Sequence, residues 1–370
     1  MPKRKDQSIE TLRGLAIILM VAGHVIGDKA TNGMKVAADS EFRHFYYSLQ
    51  FFRMPLFTVI SGFVYTLRPV AAGKSLGFLR GKARRILLPM AAVATLEFLM
   101  RWAVPGTNAR VELSQIWRIY LFSFDHFWFL QAIFLVFLTV TALERVQALK
   151  TPARWAGVLL VAALIRWSPP FPVTAFFSFP AFLYLLPFFL LGVGLGRFEA
   201  LLRGPAVVLP AAAILLLGLV WQQGSWYGWP LPLLERMDTE YRGAALGMLV
   251  GLTGCLILFR IRWETPWLAR LGFYSYGIYL FHVFGTAGSR IVAKKVLGLE
   301  AGLGLFFLSL GFGLGVPLVI EKALLRSRIL SLVFLGLRPK RPAPPTQLNA
   351  PRAEGSVTDP NAPSKPAGEA

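Results

Sequence analysis

Charged residues are scarce in this chain of 370 residues. Asp, Glu, Lys and Arg together make up 16% of it, whereas about 25% is usual in soluble domains. Hydrophobic residues reach 55%, and the mean hydropathy is +0.56. Many of them stand in apolar runs of about 20 residues, which is the length that crosses a bilayer core. The composition therefore excludes an ordinary soluble domain and predicts an all-α, polytopic membrane protein.

Cysteine and histidine are also rare. The single cysteine, Cys255, excludes an intrachain disulfide and is interpreted as a small buried apolar residue. Four histidines without metal-ligand spacing predict no metal site. The sequence has no Walker loop, no dinucleotide-binding glycine loop and no G-x-S-x-G elbow, so it gives no support to those chemistries.

Acidic residues are few, with 19 Asp and Glu against 39 Lys and Arg, which leaves a net charge of +20. Nucleic acid is the weaker explanation of this charge, because the basic residues fall mainly in short loops between apolar runs. That distribution is typical of the positive-inside rule, and it predicts the lipid bilayer, not nucleic acid, as a partner. The same bias places both termini in the cytoplasm.

About ten membrane spans fit the hydropathy pattern. They lie at about 9–26, 45–67, 86–104, 126–143, 155–167, 179–196, 206–221, 241–259, 271–287 and 302–320. Lys3, Arg4 and Lys5 resemble the start of a signal peptide, but the following run is long and contains Arg13, which predicts an uncleaved first span. The predicted organisation is a basic cytoplasmic N-terminus (1–8), a membrane domain (9–325) and a cytoplasmic tail (326–370). The Pro-rich composition predicts that the tail is disordered from about residue 338.

The first span contains two ionisable side chains, Arg13 and His24. Their spacing corresponds to roughly 16 Å and about three helical turns, so both leave the same helix face. His24 could accept a proton from a hydroxyl or carry an acyl group, with Asp28 holding its second ring nitrogen if the helix continues that far. The alternatives are that His24 only caps the helix and that Arg13 only pairs with Glu10.

A basic segment, interpreted as the end of a loop spanning 68–85, precedes the third span. Its residues Arg80, Lys82, Arg84 and Arg85 would suit the phosphates of a nucleotide-bearing donor such as coenzyme A. On charge alone, the stronger interpretation is a topology signal that contacts anionic lipid headgroups.

Several polar residues within or beside apolar runs are candidates for substrate binding. Ser61 follows a proline in the second span and either lines a groove or supports close packing. Trp128 suits the membrane interface, while Tyr276 and His282 either face a cavity or belong to the core. The complete set of candidates is Ser61, Trp128, Tyr276, His282 and Glu321.

Taken together, these segments resemble the acyltransferase-3 family of integral membrane acyltransferases. The matching motifs stand in the family's order and are ETLRGLAIILMVAGH, RMPLFTVISGF, KARRILLP, HFWFLQ, SYGIYLFH and VIEK. The resemblance implies about ten spans and O-acylation, often O-acetylation, in which an acyl group passes from cytoplasmic acyl-CoA to a hydroxyl. It implies no permanently bound cofactor, a carbohydrate acceptor on the cell surface or in export, a bacterial inner-membrane location and glycan-assembly enzymes as partners.

Carried over by position, His24 is the catalytic residue and Arg13 its partner in the same groove. The family's Arg-x-x-Arg falls on Lys82 and Arg85, and the lysine is a departure for which Arg84 could substitute. Glu321 matches the family's glutamate near the tenth span. A secondary transporter or flippase is the rival class, because buried charges and proline-broken spans also fit one. A non-catalytic membrane scaffold would leave Arg13 and His24 on one face unexplained.

Overall fold

The computed structural model describes residues 6–71, 73–104, 111–168, 173–229, 240–296 and 298–338, without the side chains of 240–244. This described part is all-helical, as predicted, apart from one isolated β-bridge between Phe122 and Phe176. Short 3₁₀ turns cover Leu113–Gln115 and Asp125–Phe127. The α-helices described are α1 Gln7–Ile26, α2 Glu41–Ser48, α3 Arg53–Leu67, α4 Ser75–Ala103, α5 Arg118–Leu121, α6 Trp128–Arg145, α7 Pro152–Trp167, α8 Phe179–Arg197, α9 Glu199–Leu202, α10 Pro205–Tyr227, α11 Glu240–Ile261, α12 Pro266–Phe273, α13 Ser275–Val296, α14 Leu303–Leu324 and α15 Arg328–Leu335.

Six helical segments in the described residues are long and apolar enough to cross a membrane, which supports the predicted membrane protein. They are Gln7–Ile26, Ser75–Ala103, Asp125–Arg145, Phe179–Arg197, Pro205–Tyr227 and Leu303–Leu324. The total of about ten spans and the cytoplasmic placement of both termini stay predictions.

Two predicted boundaries near the N-terminal half are wrong. The second span, predicted at 45–67, is divided, because α2 ends at Ser48 and α3 begins at Arg53. Pro55 lies in the first turn of α3, where its missing N–H costs no hydrogen bond. The basic loop predicted at 68–85 becomes helical from Ser75 onward, since Leu, Arg, Lys and Ala favour a helix once it has begun.

The ninth span, predicted at 271–287, is also divided. Helix α12 ends at Phe273, and α13 begins at Ser275 and continues to Val296. The break at Tyr274 separates a short helix, which packs on α1, from the longer helix that carries Tyr276 and His282.

Helix α1 lies inside the bundle. Within the apolar stretch of α1, 72% of the residues are buried, whereas only 17% are buried in the apolar stretch of α10 and 22% in that of α14. Its first turn is capped by Asp6, whose carboxylate accepts the Ser8 N–H at 3.0 Å. Gly14 brings α1 against the backbone of Leu268 in α12, because a Cβ at position 14 would collide with that carbonyl. This central helix positions His24 among its neighbours.

Helices α3 and α8 also approach closely, through Gly62 and Gly192. A Cβ on Gly62 would collide with the Phe189 carbonyl oxygen and lie 3.2 Å from the Gly192 Cα. A Cβ on Gly192 would lie 2.8 Å from the Phe63 nitrogen. The glycine of the Ser61-Gly62 pair therefore serves helix packing.

The described residues up to Leu337 form one compact unit, which includes α15. The predicted domain boundaries at 8 and 325 stay predictions. The predicted disorder of the tail falls on residues beyond 338, which lie outside the described residues, as does the basic Lys3-Arg4-Lys5 segment.

Candidate active site

Three of the four histidines come together inside the bundle. His24 stands in the last turn of α1, His126 in the 3₁₀ turn before α6, and His282 in the middle of α13. The ring centroid of His282 lies 4.7 Å from that of His24 and 4.6 Å from that of His126, and the His24 and His126 centroids are 5.9 Å apart. We call this group the histidine cluster. His282, a predicted substrate-binding residue, thus lies beside His24.

Hydrogen bonds fix the tautomers of two of these rings. The His282 Nδ1 lies 2.9 Å from the Tyr279 carbonyl oxygen, which can only accept, so Nδ1 carries the proton. The His126 Nδ1 lies 3.3 Å from the Asp125 Oδ1, and that carboxylate likewise favours a proton on Nδ1. The Nε2 atoms of His126 and His282 are buried without a hydrogen-bond partner in the described structure. Each therefore presents a lone pair that can accept a proton.

A group of carboxylates and one arginine supports His126. Arg101 pairs with both Glu97 and Asp125. The Glu97 Oε2 lies 4.0 Å from the His126 Nδ1, and the Glu97 side chain is only 3% exposed. The Tyr279 hydroxyl donates to the His126 carbonyl oxygen. These contacts hold the turn that presents His126, and Asp125 adopts a φ of 43° in it.

Glu97, Asp125 and His126 could also offer metal-ligand atoms within 4.8 Å of one another. Arg101 already pairs with both carboxylates and so offsets one of their two negative charges. No metal site was predicted from the sequence.

A second polar group lies six residues before His282, at the start of α13. The Tyr276 hydroxyl donates to the Arg85 carbonyl oxygen, and the Arg85 guanidinium carbon lies 5.1 Å from the Tyr276 ring centroid. Gly277 admits the Glu321 carboxylate, with which any side chain at 277 would collide. The Glu321 Oε2 is buried without a hydrogen-bond partner among the described residues. We call Arg85, Tyr276 and Glu321 the arginine–tyrosine–glutamate group; all three are predicted site residues.

The other basic residues of α4 point elsewhere. The Lys82 ammonium lies 3.6 Å from the Phe137 ring centroid, and the Arg84 Nε donates to the Gly336 carbonyl oxygen at 3.2 Å. Arg80 is exposed. The predicted donor contacts of these three residues stay predictions.

Two further predicted residues do not join the histidine cluster through any described contact. The Ser61 hydroxyl donates to the Phe57 carbonyl of its own helix at 2.8 Å. The half-buried Trp128 packs edge-on against Phe129, with ring centroids 6.0 Å apart.

Arg13 forms an ion pair with Glu10 at 2.9 Å, which is the structural alternative considered from the sequence. Two cavities at the protein surface, one beside Asp6 and Arg260 and the other beside Gln50 and Arg166, include neither Arg13 nor His24 in their linings. The shared groove of Arg13 and His24 therefore stays a prediction.

Asp28 does not hold His24, and that prediction is wrong. Helix α1 ends at Ile26, because Gly27 has a φ of 87°, so Asp28 no longer follows His24 by one helical turn. The Asp28 carboxylate instead accepts from Asn32. Asp125, which lies 101 positions along the chain, pairs with His126, whose ring centroid is 5.9 Å from that of His24.

Sequence reasoning missed the roles of Asp125 and His126, which stand at the predicted start of the fourth span, 126–143. The available signal was that His126, like His24 and His282, falls within a predicted span.

A family model described as an acyltransferase domain matches residues 6–322, nearly the whole chain. No curated protein and no solved structure matches the chain.

Proposed function

The chain belongs to the acyltransferase-3 family, and we propose that it is a membrane-bound O-acyltransferase. The acyl group, acetyl in this proposal, comes from cytoplasmic acyl-CoA, and the acceptor is a hydroxyl of a cell-surface or exported carbohydrate. The protein resides in the bacterial inner membrane, where it works beside glycan-assembly enzymes. One observation carries the proposal: His24 packs against two further imidazoles, and two of the three rings present buried Nε2 lone pairs.

The acceptor hydroxyl meets His24, which takes its proton as the hydroxyl oxygen bonds to the thioester carbonyl carbon. The C–S bond then breaks, and the proton passes to the coenzyme A thiolate. In the alternative order, His24 first displaces the thiolate, becomes acylated and then passes the acyl group to the hydroxyl. The neighbouring imidazoles of His126 and His282 can hold the proton during either sequence, because their Nε2 atoms have no other described partner.

The donor enters from the side of the arginine–tyrosine–glutamate group. Arg85 is the best-placed residue for a phosphate, because it is exposed and its guanidinium lies over the Tyr276 ring. Arg80, Lys82 and Arg84 are the further proposed phosphate contacts on α4, and Lys82 and Arg84 would leave Phe137 and Gly336 to reach the donor. Tyr276 and His282 are six positions apart on α13, and this spacing corresponds to roughly 9 Å along the helix axis. The flexible pantetheine arm of coenzyme A would bridge that distance.

The decisive experiment compares His24→Ala with His44→Ala in a deletion strain. His44 is the matched control, because it lies outside the histidine cluster and bonds to Gln223 at 2.6 Å. Mass spectrometry of the surface carbohydrate should show loss of one acyl group per repeat with His24→Ala and no change with His44→Ala. Both variants should accumulate in the membrane at the wild-type level.

Retained acylation in His24→Ala would remove His24 from the mechanism. Loss of exported carbohydrate, with unmodified material accumulating inside the cell, would instead support a transporter.

A further inference from the structure

Two arginines flank His24 at the same end of the bundle, and neither was singled out from the sequence. Arg53 begins α3 and Arg290 lies two turns beyond His282 on α13. Arg53 lies against Gly23, the residue before His24 in α1. Arg290 follows His282, whose ring centroid is 4.7 Å from that of His24. The polar environment of His24 is therefore not limited to the histidine cluster.

Arg53 reaches α1 because the residue before His24 is a glycine. A Cβ on Gly23 would collide with the Arg53 Nη1 and would lie 3.1 Å from its Cζ. The opposite side of the guanidinium is supported by Tyr46, whose ring centroid lies 3.8 Å from Cζ. Arg53 is thus held between an aromatic ring and the last turn of α1.

Neither arginine has a carboxylate partner among the described residues. The Arg53 Nε and the Arg290 Nη1 are buried and make no hydrogen bond in the described structure. Asp125, the carboxylate beside the histidine cluster, is already bound by Arg101 and His126. Buried donors without acceptors and charges without counter-ions are costly, so the site is complete only when an anion arrives.

We propose that Arg53 and Arg290 bind a negatively charged group of the acceptor, a carboxylate or a phosphate, and thereby bring the acceptor hydroxyl to His24. This inference rests on the proposed function for the transfer step, but the anion site itself can be tested by binding alone. Guanidinium groups suit both anions, because their N–H donors match two oxygens at once.

A negative charge that the acceptor carries before the reaction explains the two arginines better than the oxyanion that forms only in the transition state. The guanidinium charges are permanent, and the described structure provides no counter-ion for them before the reaction. An anion carried by the acceptor would neutralise them on binding and so lower the acceptor KM, whereas stabilisation of a transition state alone would appear in kcat.

The binding experiment uses the purified full-length protein in detergent without acyl-CoA. Glucuronate and glucose 6-phosphate are the charged probes, and glucose is the neutral match. We expect the charged sugars to raise Tm and glucose to have no effect, with a response that weakens as salt increases. A stronger response to the carboxylate or to the phosphate identifies which anion the site prefers.

Arg53→Gln and Arg290→Gln should each weaken binding of the charged sugars at least tenfold. Arg53→Lys keeps the charge and should retain part of it, which guards against a folding defect in the glutamine variant. The control is Arg203→Gln, since Arg203 is paired with Glu199 on the surface. An equal response to all three sugars, or equal loss in the control, would overturn the proposal.

Release of free coenzyme A from acetyl-CoA, with water as acceptor, separates the two proposals. His24→Ala should abolish this release while keeping the discrimination between charged and neutral sugars. Arg53→Gln should lose the discrimination between the charged and the neutral sugars. Unchanged acylation of the surface carbohydrate in the deletion strain would reject the proposed function, and retained discrimination between the sugars would leave the anion site standing. Loss of release in Arg53→Gln, with the sugar discrimination unchanged, would overturn the anion site in favour of an oxyanion role.

Discussion

Arg101 is the cation that pairs with two carboxylates beside the histidine cluster, and its removal should destabilise the protein strongly. It pairs with Glu97, whose side chain is 3% exposed, and with Asp125, whose side chain is 23% exposed. Arg101→Gln leaves both negative charges near each other without their cation. Breaking a buried ion pair from one side costs about 3–5 kcal/mol.

The chain offers a matched surface pair with the same i,i+4 spacing. Arg203 pairs with Glu199, but their side chains are 37% and 44% exposed. Exposed pairs of this kind contribute roughly 0–1 kcal/mol. Arg203→Gln should therefore have a small effect, and the difference between the two variants isolates the effect of burial from that of sequence spacing.

Thermal unfolding in a single detergent, followed by tryptophan fluorescence, measures both variants against wild type. Arg101→Gln should lower Tm several times more than Arg203→Gln. Adding Glu97→Gln to Arg101→Gln should recover part of the loss, because it removes one of the two unbalanced charges. Equal shifts for the two arginine variants, or a further drop in the double variant, would refute the argument that Arg101 balances buried charge.

Three further predictions follow from the packing and the two polar groups. Gly192→Ala should lower Tm and reduce the free energy of unfolding by about 1–3 kcal/mol, because the new Cβ would lie 2.8 Å from a backbone nitrogen. Gly77→Ala should be neutral or slightly stabilising, since a Cβ at position 77 meets open space. Arg85→Ala should raise the acyl-CoA KM in steady-state kinetics, while the exposed Arg154→Ala should leave it unchanged. His282→Ala should lower kcat for acyl transfer, with little change in acyl-CoA KM, because it removes a buried proton acceptor and no phosphate contact.

The sequence predicts the helical membrane class well, since that property depends on composition summed over long stretches. Helix boundaries were harder where a run of apolar residues continues through a break. Residues 45–67 remain hydrophobic across the turn between α2 and α3, so hydropathy alone could not locate it. The basic stretch of α4 shows the reverse problem, because charge suggested a loop where helix propensity prevailed.

The site was predictable only where its residues stand inside apolar runs. His24 and His282 drew attention in that way, and the structure brings them to a ring distance of 4.7 Å. Asp125 and His126 follow a mixed segment, where an acidic residue before a helix is most simply interpreted as an N-cap. Their contact with His24 depends on tertiary packing, for which neighbouring residues in the chain give no signal.

Helix α13 carries one residue of each polar group, Tyr276 and His282, at a shorter axial distance than the one that separates Arg13 from His24 on α1. Tyr276 and His282 stand six positions apart on this one helix, so its rise separates them by roughly 9 Å along the helix axis. Arg13 lies farther from His24, at roughly 16 Å along α1, and is already paired with Glu10. Of the two helices, α13 therefore provides the shorter route by which a thioester anchored near Arg85 could reach His24, and Arg13 is better suited to supporting that route than to touching the reacting carbonyl.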